Sequence, residues 1–160
     1  MSPEEMEQRA AVVAEARSWV GTPYHHMGEV KGAGCDCAQL IKHAFLGAGV
    51  VLDFEVERYT SDWHLHRSEE KYLSKVEEYC GETHPGEVPL ELRMKDPGFR
   101  PLPGDIIMFR IGRTYSHGCV VTEWPMVVHA NLPSGRVEEI SVLGTPVSRR
   151  VSRVYSYWKK

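Results

Sequence analysis

The stretch G-A-G-C-D-C-A-Q-L-I-K-H-A-F-L, residues 32–46, places a cysteine where a glycine-rich loop turns into an apolar-periodic helix. Unpaired N–H groups in the first turn of a helix, together with the positive end of its dipole, favour thiolate over thiol. Cys37 is therefore predicted to have a lowered pKa and to act as a nucleophile near neutral pH. The inner face of this helix is predicted to consist of Leu40, Ile41, Ala44 and Phe45, with its end at Gly47.

Two downstream histidines could serve such a nucleophile. His117 and His129 each lie in a short β-branched run, S-H-G-C-V-V and M-V-V-H-A. Cysteine hydrolases bring their base close to the thiol in the fold from a distant point of the sequence. We expect His117 to act as the base, with a ring nitrogen about 3 to 4 Å from the sulfur of Cys37. His129 is expected to orient His117. The backbone N–H of Cys37 is a candidate oxyanion donor.

Composition limits the class of protein. A chain of 160 residues fits one domain, residues 1–160, with a real core. The net charge of −3 gives no sign of a nucleic-acid surface. Six charged residues interrupt residues 1–20, and no later run is long enough to cross a bilayer. We therefore expect synthesis as a soluble cytoplasmic protein, in which the four cysteines are reduced thiols.

Helices are predicted to precede strands, which is typical of an α+β domain with helices on one face of the sheet. A first helix, with Ser2 as N-cap and Pro3 at its first position, should end at Gly21. A further helix should run from Ser68 to Cys80. The first helix is expected to bury a stripe of Met6, Ala10, Val13, Ala16 and Val20.

The second half of the chain is predicted to begin with an irregular surface excursion. Five prolines fall between Glu82 and Gly104, where we expect only a short helical turn near residues 90–94. Strands should follow in an antiparallel meander, because turn signals separate the β-branched runs. Their predicted bounds are residues 105–110, 117–123, 126–130, 136–141 and 151–157.

Several short motifs together resemble the NlpC-type cysteine peptidases, papain-like enzymes that cut cell-wall peptides. They are G-T-P-Y at 21–24, D-C at 36–37, L-P-G-D at 102–105, S-H at 116–117 and V-H-A at 128–130. The order is the expected one over roughly residues 10–142. The motifs G-T-P-Y-x-H and G-C-D-C most resemble the branch found in phage tails and gene-transfer agents. The resemblance implies a papain-like α+β fold, with the nucleophile at a helix N-terminus packed on a C-terminal antiparallel sheet.

The resemblance also implies roles for individual residues. Cys37 matches the nucleophile, His117 the base, His129 the orienting residue, and Tyr24 a tyrosine whose hydroxyl helps to hold the oxyanion. The implied activity is hydrolysis of a peptide or isopeptide bond in peptidoglycan stem peptides. Phage tail proteins are the implied partners, and the virion tail is the implied destination.

Two features depart from the family pattern. Enzymes that hold the free amine of the substrate's alanine usually carry D-C-S, whereas here Asp36 is kept and Ala38 replaces the serine. We predict that Asp36, Ala38 and Ser116 contact the substrate. The chain is also long between Cys37 and His117, which indicates an inserted surface segment over about residues 53–101.

Other interpretations of the Cys and His content remain open. The pairs Cys35-x-Cys37, His64-x-His66 and Cys80-x3-His84 do not repeat as the two-pair pattern of structural zinc, so no metal or other cofactor is expected. The fold also permits a thiol acyltransferase or an amidase, and a tail-assembly adaptor could keep the scaffold without catalysis. The remaining cysteines, Cys35, Cys80 and Cys119, are expected to be small buried hydrophobes.

Overall fold

The computed structural model describes residues 1–53 and 70–160. Its helices are α1 (Pro3–Ser18), α2 (Cys37–Gly47), α3 (Lys71–Tyr79) and α4 (Leu90–Arg93), with 3₁₀ turns at Pro146–Arg149 and Tyr157–Lys159. Its strands are β1 (Glu29–Val30), β2 (Gly34–Cys35), β3 (Gly81–Pro89), β4 (Ile106–Ile111), β5 (Thr114–Val121), β6 (Met126–Asn131), β7 (Arg136–Ser141) and β8 (Val151–Ser156). The predicted start of the third helix, Ser68, lies outside the described residues, as does part of the predicted insertion.

A six-stranded antiparallel sheet forms the centre of the molecule, in the order β3-β8-β4-β5-β6-β7. The predicted meander is present in β4 to β7, and β8 then returns to pair with β4. The α+β class is confirmed.

Both faces of the sheet are covered. Strand alternation directs Ile106 and Met108 toward α1 and α2, where they join one hydrophobic cluster. Ile107 and Phe109 point the opposite way and join a second cluster, which α4 and the chain after it complete with Leu90 and Phe99. The prediction of helices on one face of the sheet therefore accounts for the first cluster but not for the second.

The buried stripe of α1 differs from the predicted one. The side chain of Ser2 accepts a hydrogen bond from the N–H of Glu5, as a cap should. The helix, however, buries Arg9 together with Val12, Val13 and Ala16, while Met6, Ala10 and Val20 are exposed. A hydropathy pattern misses this face because Arg9 is buried through ion pairing, in a salt bridge with Asp105 at 2.8 Å.

The predicted surface excursion contains a strand. β3 spans Gly81–Pro89 and, within the part of the chain that the structure describes, pairs only with β8, with register shifts along the ladder. Proline cannot donate a hydrogen bond to a β-ladder but is tolerated on an edge strand. Pro85 and Pro89 therefore argued against a strand in the sequence, although they do not prevent one in the fold. The helical turn predicted near residue 90 is present as α4.

Helix α2, which begins at Cys37, packs closely on β5. A Cβ atom built at Gly118 would lie 2.9 Å from Ile41 Cδ1, Met108 Sδ and Tyr72 Oη. Glycine at this position therefore lets the N-terminal turns of α2 approach the middle of β5. Among the residues that the structure describes, no helix is both long and apolar enough to cross a membrane.

Candidate active site

Cys37 is the first residue of α2 and faces β5. The residue is 8% exposed, and its thiol donates to the backbone oxygen of Ser116 at 3.3 Å. Among the described residues, this carbonyl rather than a ring nitrogen of His117 accepts the thiol proton. A hydrogen bond from this thiol to His117 would require the thiol to rotate away from Ser116.

Asp36 caps the same helix. One carboxylate oxygen, Oδ1, accepts from the N–H of Gln39 at 3.0 Å, and Oδ2 accepts from the N–H of Met27 at 2.7 Å. Nδ1 of His26 lies 3.9 Å from Oδ2. Asp36 is 1% exposed, so its carboxylate fixes both the helix start and the preceding loop.

The predicted lowering of the Cys37 pKa is wrong. Burial, and after it the charge of the neighbouring Asp36 carboxylate, raise the pKa of Cys37 to about 12. Hydrogen bonds from the backbone N–H groups of Gly118, Ala38 and Cys37 lower the pKa, but by less. The prediction rested on the helix N-terminus, and loss of water around the sulfur outweighs that influence.

The two predicted histidines form a pair across β5 and β6. Nε2 of His117 lies 3.1 Å from Nδ1 of His129, with the rings edge to face. The two strands pair only at Val120–Val128 and Val121–Val127, so they separate before they reach His117. Burial, followed by the charge that His129 can carry, lowers the pKa of His117 to about 3. His117 is thus a neutral imidazole near pH 7, able to accept a proton.

Glu138 extends this pair and was missed from the sequence. Its Oε1 lies 3.1 Å from Nε2 of His129 and accepts from Nδ2 of Asn131 at 3.0 Å. Burial alone would raise the pKa of Glu138, but the hydrogen bonds from His129 and Asn131 hold the pKa below its usual value. A signal was present: pairing Asn131 with Arg136 across the predicted turn also pairs His129 with Glu138.

Tyr24 is held beside the nucleophile. Its backbone N–H donates to the oxygen of Gly135 at 2.8 Å, and a short parallel bridge joins it to Cys35. Burial, then the proximity of Cys37, Asp36 and Cys35, raises the pKa of the Tyr24 hydroxyl above its usual value. The hydroxyl therefore stays protonated and remains a hydrogen-bond donor.

A cavity of about 1190 Å³ brings these groups together. It is lined by all seven residues predicted from the sequence, Tyr24, Asp36, Cys37, Ala38, Ser116, His117 and His129, and also by Glu138. Cys119, in contrast, packs in the second hydrophobic cluster, as expected. The arrangement can supply a sulfur nucleophile, a neutral base and a hydroxyl donor to one bound group.

The zinc alternative gains no support from the part of the chain described. Within residues 1–53 and 70–160, no cluster of three or more His, Cys, Asp or Glu side chains could hold a metal ion. The pair His64-x-His66 lies outside the described residues.

No family model matches the sequence, and no curated protein matches it significantly. Solved structures do match the fold. The NlpC/p60 domain of the peptidoglycan hydrolase SagA is 20% identical, with a TM-score of 0.58 over 92% of this chain and 97% of that chain. The peptidoglycan hydrolase RipB of Mycobacterium tuberculosis is 20% identical, with a TM-score of 0.53 over 96% of this chain and 68% of its own.

A third match comes from a protein without catalytic activity. RipD of Mycobacterium tuberculosis, described as a non-catalytic NlpC/p60 domain protein adapted to peptidoglycan binding, is 14% identical. Its TM-score is 0.55, over 93% of this chain and 96% of that chain. At such identities the likeness concerns the fold alone. The sheet order, the helix that carries Cys37 and these matches together show that the chain has the NlpC/p60 fold.

Proposed function

We propose that this chain is a cysteine peptidase that hydrolyses a peptide or isopeptide bond in the stem peptides of bacterial peptidoglycan. The observation that carries the proposal is the placement of Cys37, at the start of α2, on the same cavity as the hydrogen-bonded pair His117–His129. The fold shared with the hydrolases SagA and RipB supports the substrate class.

The first half of the proposed reaction forms a thioester. His117 accepts the proton of the Cys37 thiol while the sulfur attacks the scissile carbonyl carbon. The negative charge on the carbonyl oxygen is stabilised by the backbone N–H of Cys37 and by the hydroxyl of Tyr24. The carbon–nitrogen bond then breaks, and His117 returns the proton to the leaving amine.

The second half releases the product. Water attacks the thioester and gives one proton to His117, which passes it to the departing sulfur of Cys37. The high pKa of Cys37 and the low pKa of His117 mean that thiol and imidazole are both neutral at rest. Deprotonation is therefore coupled to attack on the substrate, in contrast to a preformed thiolate–imidazolium pair.

Substrate recognition is proposed to involve Asp36, Ala38 and Ser116, which line the cavity around the sulfur. Both oxygens of Asp36 already accept backbone hydrogen bonds, so a substrate amine has to share one of them. Ala38 offers no hydroxyl in place of the serine that related motifs carry. The proposed preference for stems with a free alanine amine is therefore weak.

The place of action is proposed from sequence motifs. The resemblance of G-T-P-Y-x-H and G-C-D-C to the phage-tail branch favours a hydrolase that is made in the cytoplasm and acts from a virion tail. Co-purification of the chain with intact tails, and its absence from tail-less mutant particles, would test this placement.

Digestion of defined muropeptides, read by mass spectrometry, tests the activity and names the bond. Wild type should cleave, and stems with a free alanine amine should be cut somewhat faster than glycan-linked stems. Cys37→Ala should lower the rate by about 10⁴-fold or more, and His117→Ala by a similar factor. His129→Ala should leave a measurable remnant, because the base is kept but its orientation is lost.

The matched control is Cys119→Ala, which removes a thiol from the hydrophobic cluster and should cleave like wild type. Unchanged cleavage in Cys37→Ala would refute the mechanism. Binding of peptidoglycan without any cleavage by wild type would instead favour a non-catalytic domain such as RipD. Cleavage of other acyl substrates with intact stem peptides would favour the amidase or acyltransferase alternative.

A further inference from the structure

We propose that Glu138 is a positioning residue that sets the tautomer of His117 through His129, an inference that rests on the proposed cysteine peptidase function. His129 contacts both residues, with Nε2 3.1 Å from Oε1 of Glu138 and Nδ1 3.1 Å from Nε2 of His117. The three side chains thus form a continuous hydrogen-bonded series that ends at the cavity.

The direction of each hydrogen bond follows from the chemistry of the carboxylate. An ionised Glu138 can only accept, so Nε2 of His129 must carry a proton. Burial lowers the pKa of His129, so its ring is neutral near pH 7 and its Nδ1 has a lone pair. That lone pair accepts the proton on Nε2 of His117, which leaves Nδ1 of His117 unprotonated.

The unprotonated nitrogen is the one that the reaction needs. Nε2 of His117 is occupied by His129, so Nδ1 is the atom left to receive the thiol proton of Cys37. The opposite tautomer would place a hydrogen on Nδ1 and leave the thiol without a base to take its proton. Glu138 therefore favours the reactive form of a base that it does not touch.

The surroundings of Glu138 hold the carboxylate in this role. Oε1 also accepts from Nδ2 of Asn131 at 3.0 Å, and β6 and β7 pair Asn131 with Arg136 and His129 with Glu138. The carboxylate thus receives two donors from one strand in a fixed register. A glutamine at this position could present either an oxygen or an NH₂ group to His129, so both tautomers would become possible.

The test compares wild type with Glu138→Gln, using ¹⁵N spectra of the histidine rings near neutral pH. In wild type, Nε2 of both His117 and His129 should be protonated, and Nδ1 of His117 should resonate as an unprotonated nitrogen. Glu138→Gln should show a second population with Nδ1 of His117 protonated. These spectra need no substrate, so they test the inference even if the chain proves not to cleave peptidoglycan.

Kinetics provide the second readout. With a cleavable stem peptide, Glu138→Gln should lower kcat by about 10- to 100-fold and leave KM unchanged, because orientation of the base matters only in the chemical step. The matched control is Glu139→Gln, the next residue of β7, which pairs with Arg17. Its side chain is 26% exposed, against 21% for Glu138.

Glu139→Gln should match wild type in both spectra and kcat. A wild-type spectrum with Nδ1 of His117 protonated would overturn the proposal. So would spectra of Glu138→Gln that coincide with those of Glu139→Gln, whatever the change in activity.

Discussion

Cys37 and His117 are neutral at rest because burial disfavours the charged form of each. The pKa of the thiol is raised to about 12, and that of the imidazole is lowered to about 3. Burial makes it unfavourable for either group to take up a charge alone, so in the proposed reaction the proton moves directly from the thiol to the imidazole. The reactivity of the sulfur toward small reagents should therefore be much lower than its position at a helix N-terminus suggests.

We predict that alkylation of Cys37 by iodoacetamide rises with pH and has no plateau near neutrality. Below the pKa of a thiol, the thiolate fraction and hence the rate increase by about tenfold per pH unit. With the pKa raised to about 12, this rise should continue through the neutral and mildly alkaline range. Mass spectrometry of the Cys37 peptide measures the rate.

The control for this prediction is the same protein in urea. Unfolding exposes the thiol, so its rate should level off above about pH 8.5, the ordinary pKa of cysteine. A plateau below pH 8 in the folded protein would show a depressed pKa and a resting thiolate, contrary to the structure.

For single residues, the sequence predicts which side chains meet in the site better than it predicts their burial and pKa. Cys37, His117 and His129, which line one cavity, could be selected from the sequence because a cysteine at a helix start and two histidines in β-branched runs stand in specific motifs. The pKa of Cys37 could not be predicted, since it depends on desolvation by β5, some eighty residues away. Glu138 was overlooked because its pairing with His129 appears only when the strand register is worked out from the predicted turn.

The element that matters most for the site is α2, whose start fixes the position of Cys37. The carboxylate of Asp36 holds that start through Gln39 and ties it to Met27 in the preceding loop. A cap that joins two segments positions Cys37 and also stabilises the fold. Asp36 therefore has a structural function, whatever part it takes in substrate binding.

We predict that Asp36→Ala lowers the free energy of unfolding by about 2 kcal/mol, because two backbone N–H groups lose their acceptor. Urea denaturation measures this loss. The matched control is Asp96→Ala, where an exposed aspartate accepts one hydrogen bond from the N–H of Gly98 at 2.8 Å. The control should lose at most about 0.5 kcal/mol. Equal losses in the two variants would show that the Asp36 cap contributes no more than an exposed turn.

Predictability also differs among elements. The bounds of α2 follow from its glycine-rich start and its apolar periodicity, both of which are local. The strand β3 could not be predicted from its own sequence, because its prolines argue against a strand. It forms by pairing with β8, which lies far along the chain. The prediction of the buried face of α1 was wrong for a similar reason. Arg9 is buried because it forms a salt bridge with Asp105, which lies far along the chain.

At the scale of the whole molecule, Arg9 joins segments that are distant in sequence. Its guanidinium donates to Glu5, to the backbone oxygen of Pro103, to Asp105 and to Ser156, at distances between 2.8 and 3.0 Å. The same group lies 4.2 Å from the ring centre of Trp158. The buried guanidinium of Arg9 thus connects helix α1, the turn before β4 and the end of β8.

We predict that Arg9→Met lowers the free energy of unfolding by about 3 to 5 kcal/mol, because Asp105 is left buried without its partner. Adding Asp105→Asn should recover part of this loss, since the uncompensated charge is then removed. Urea denaturation of the single and double variants measures both effects.

Arg17→Met is the matched control on the same helix. Arg17 pairs with Glu139 at 3.0 Å but is 47% exposed, so its loss should cost no more than about 1 kcal/mol. If Arg9→Met lowered the free energy of unfolding no more than Arg17→Met does, the buried charge of Arg9 would not contribute strongly to the stability of the fold.

The position of β8 has a consequence for synthesis on the ribosome. β8 follows the other described strands in sequence order, yet it lies inside the sheet, between β3 and β4. Until Ser156 has left the exit tunnel, the nascent protein carries two open strand edges that belong together in the native state. Open edges are where polypeptides pair with the wrong neighbour. Mispairing of the β3 and β4 edges is therefore most favoured in the interval before β8 emerges from the tunnel.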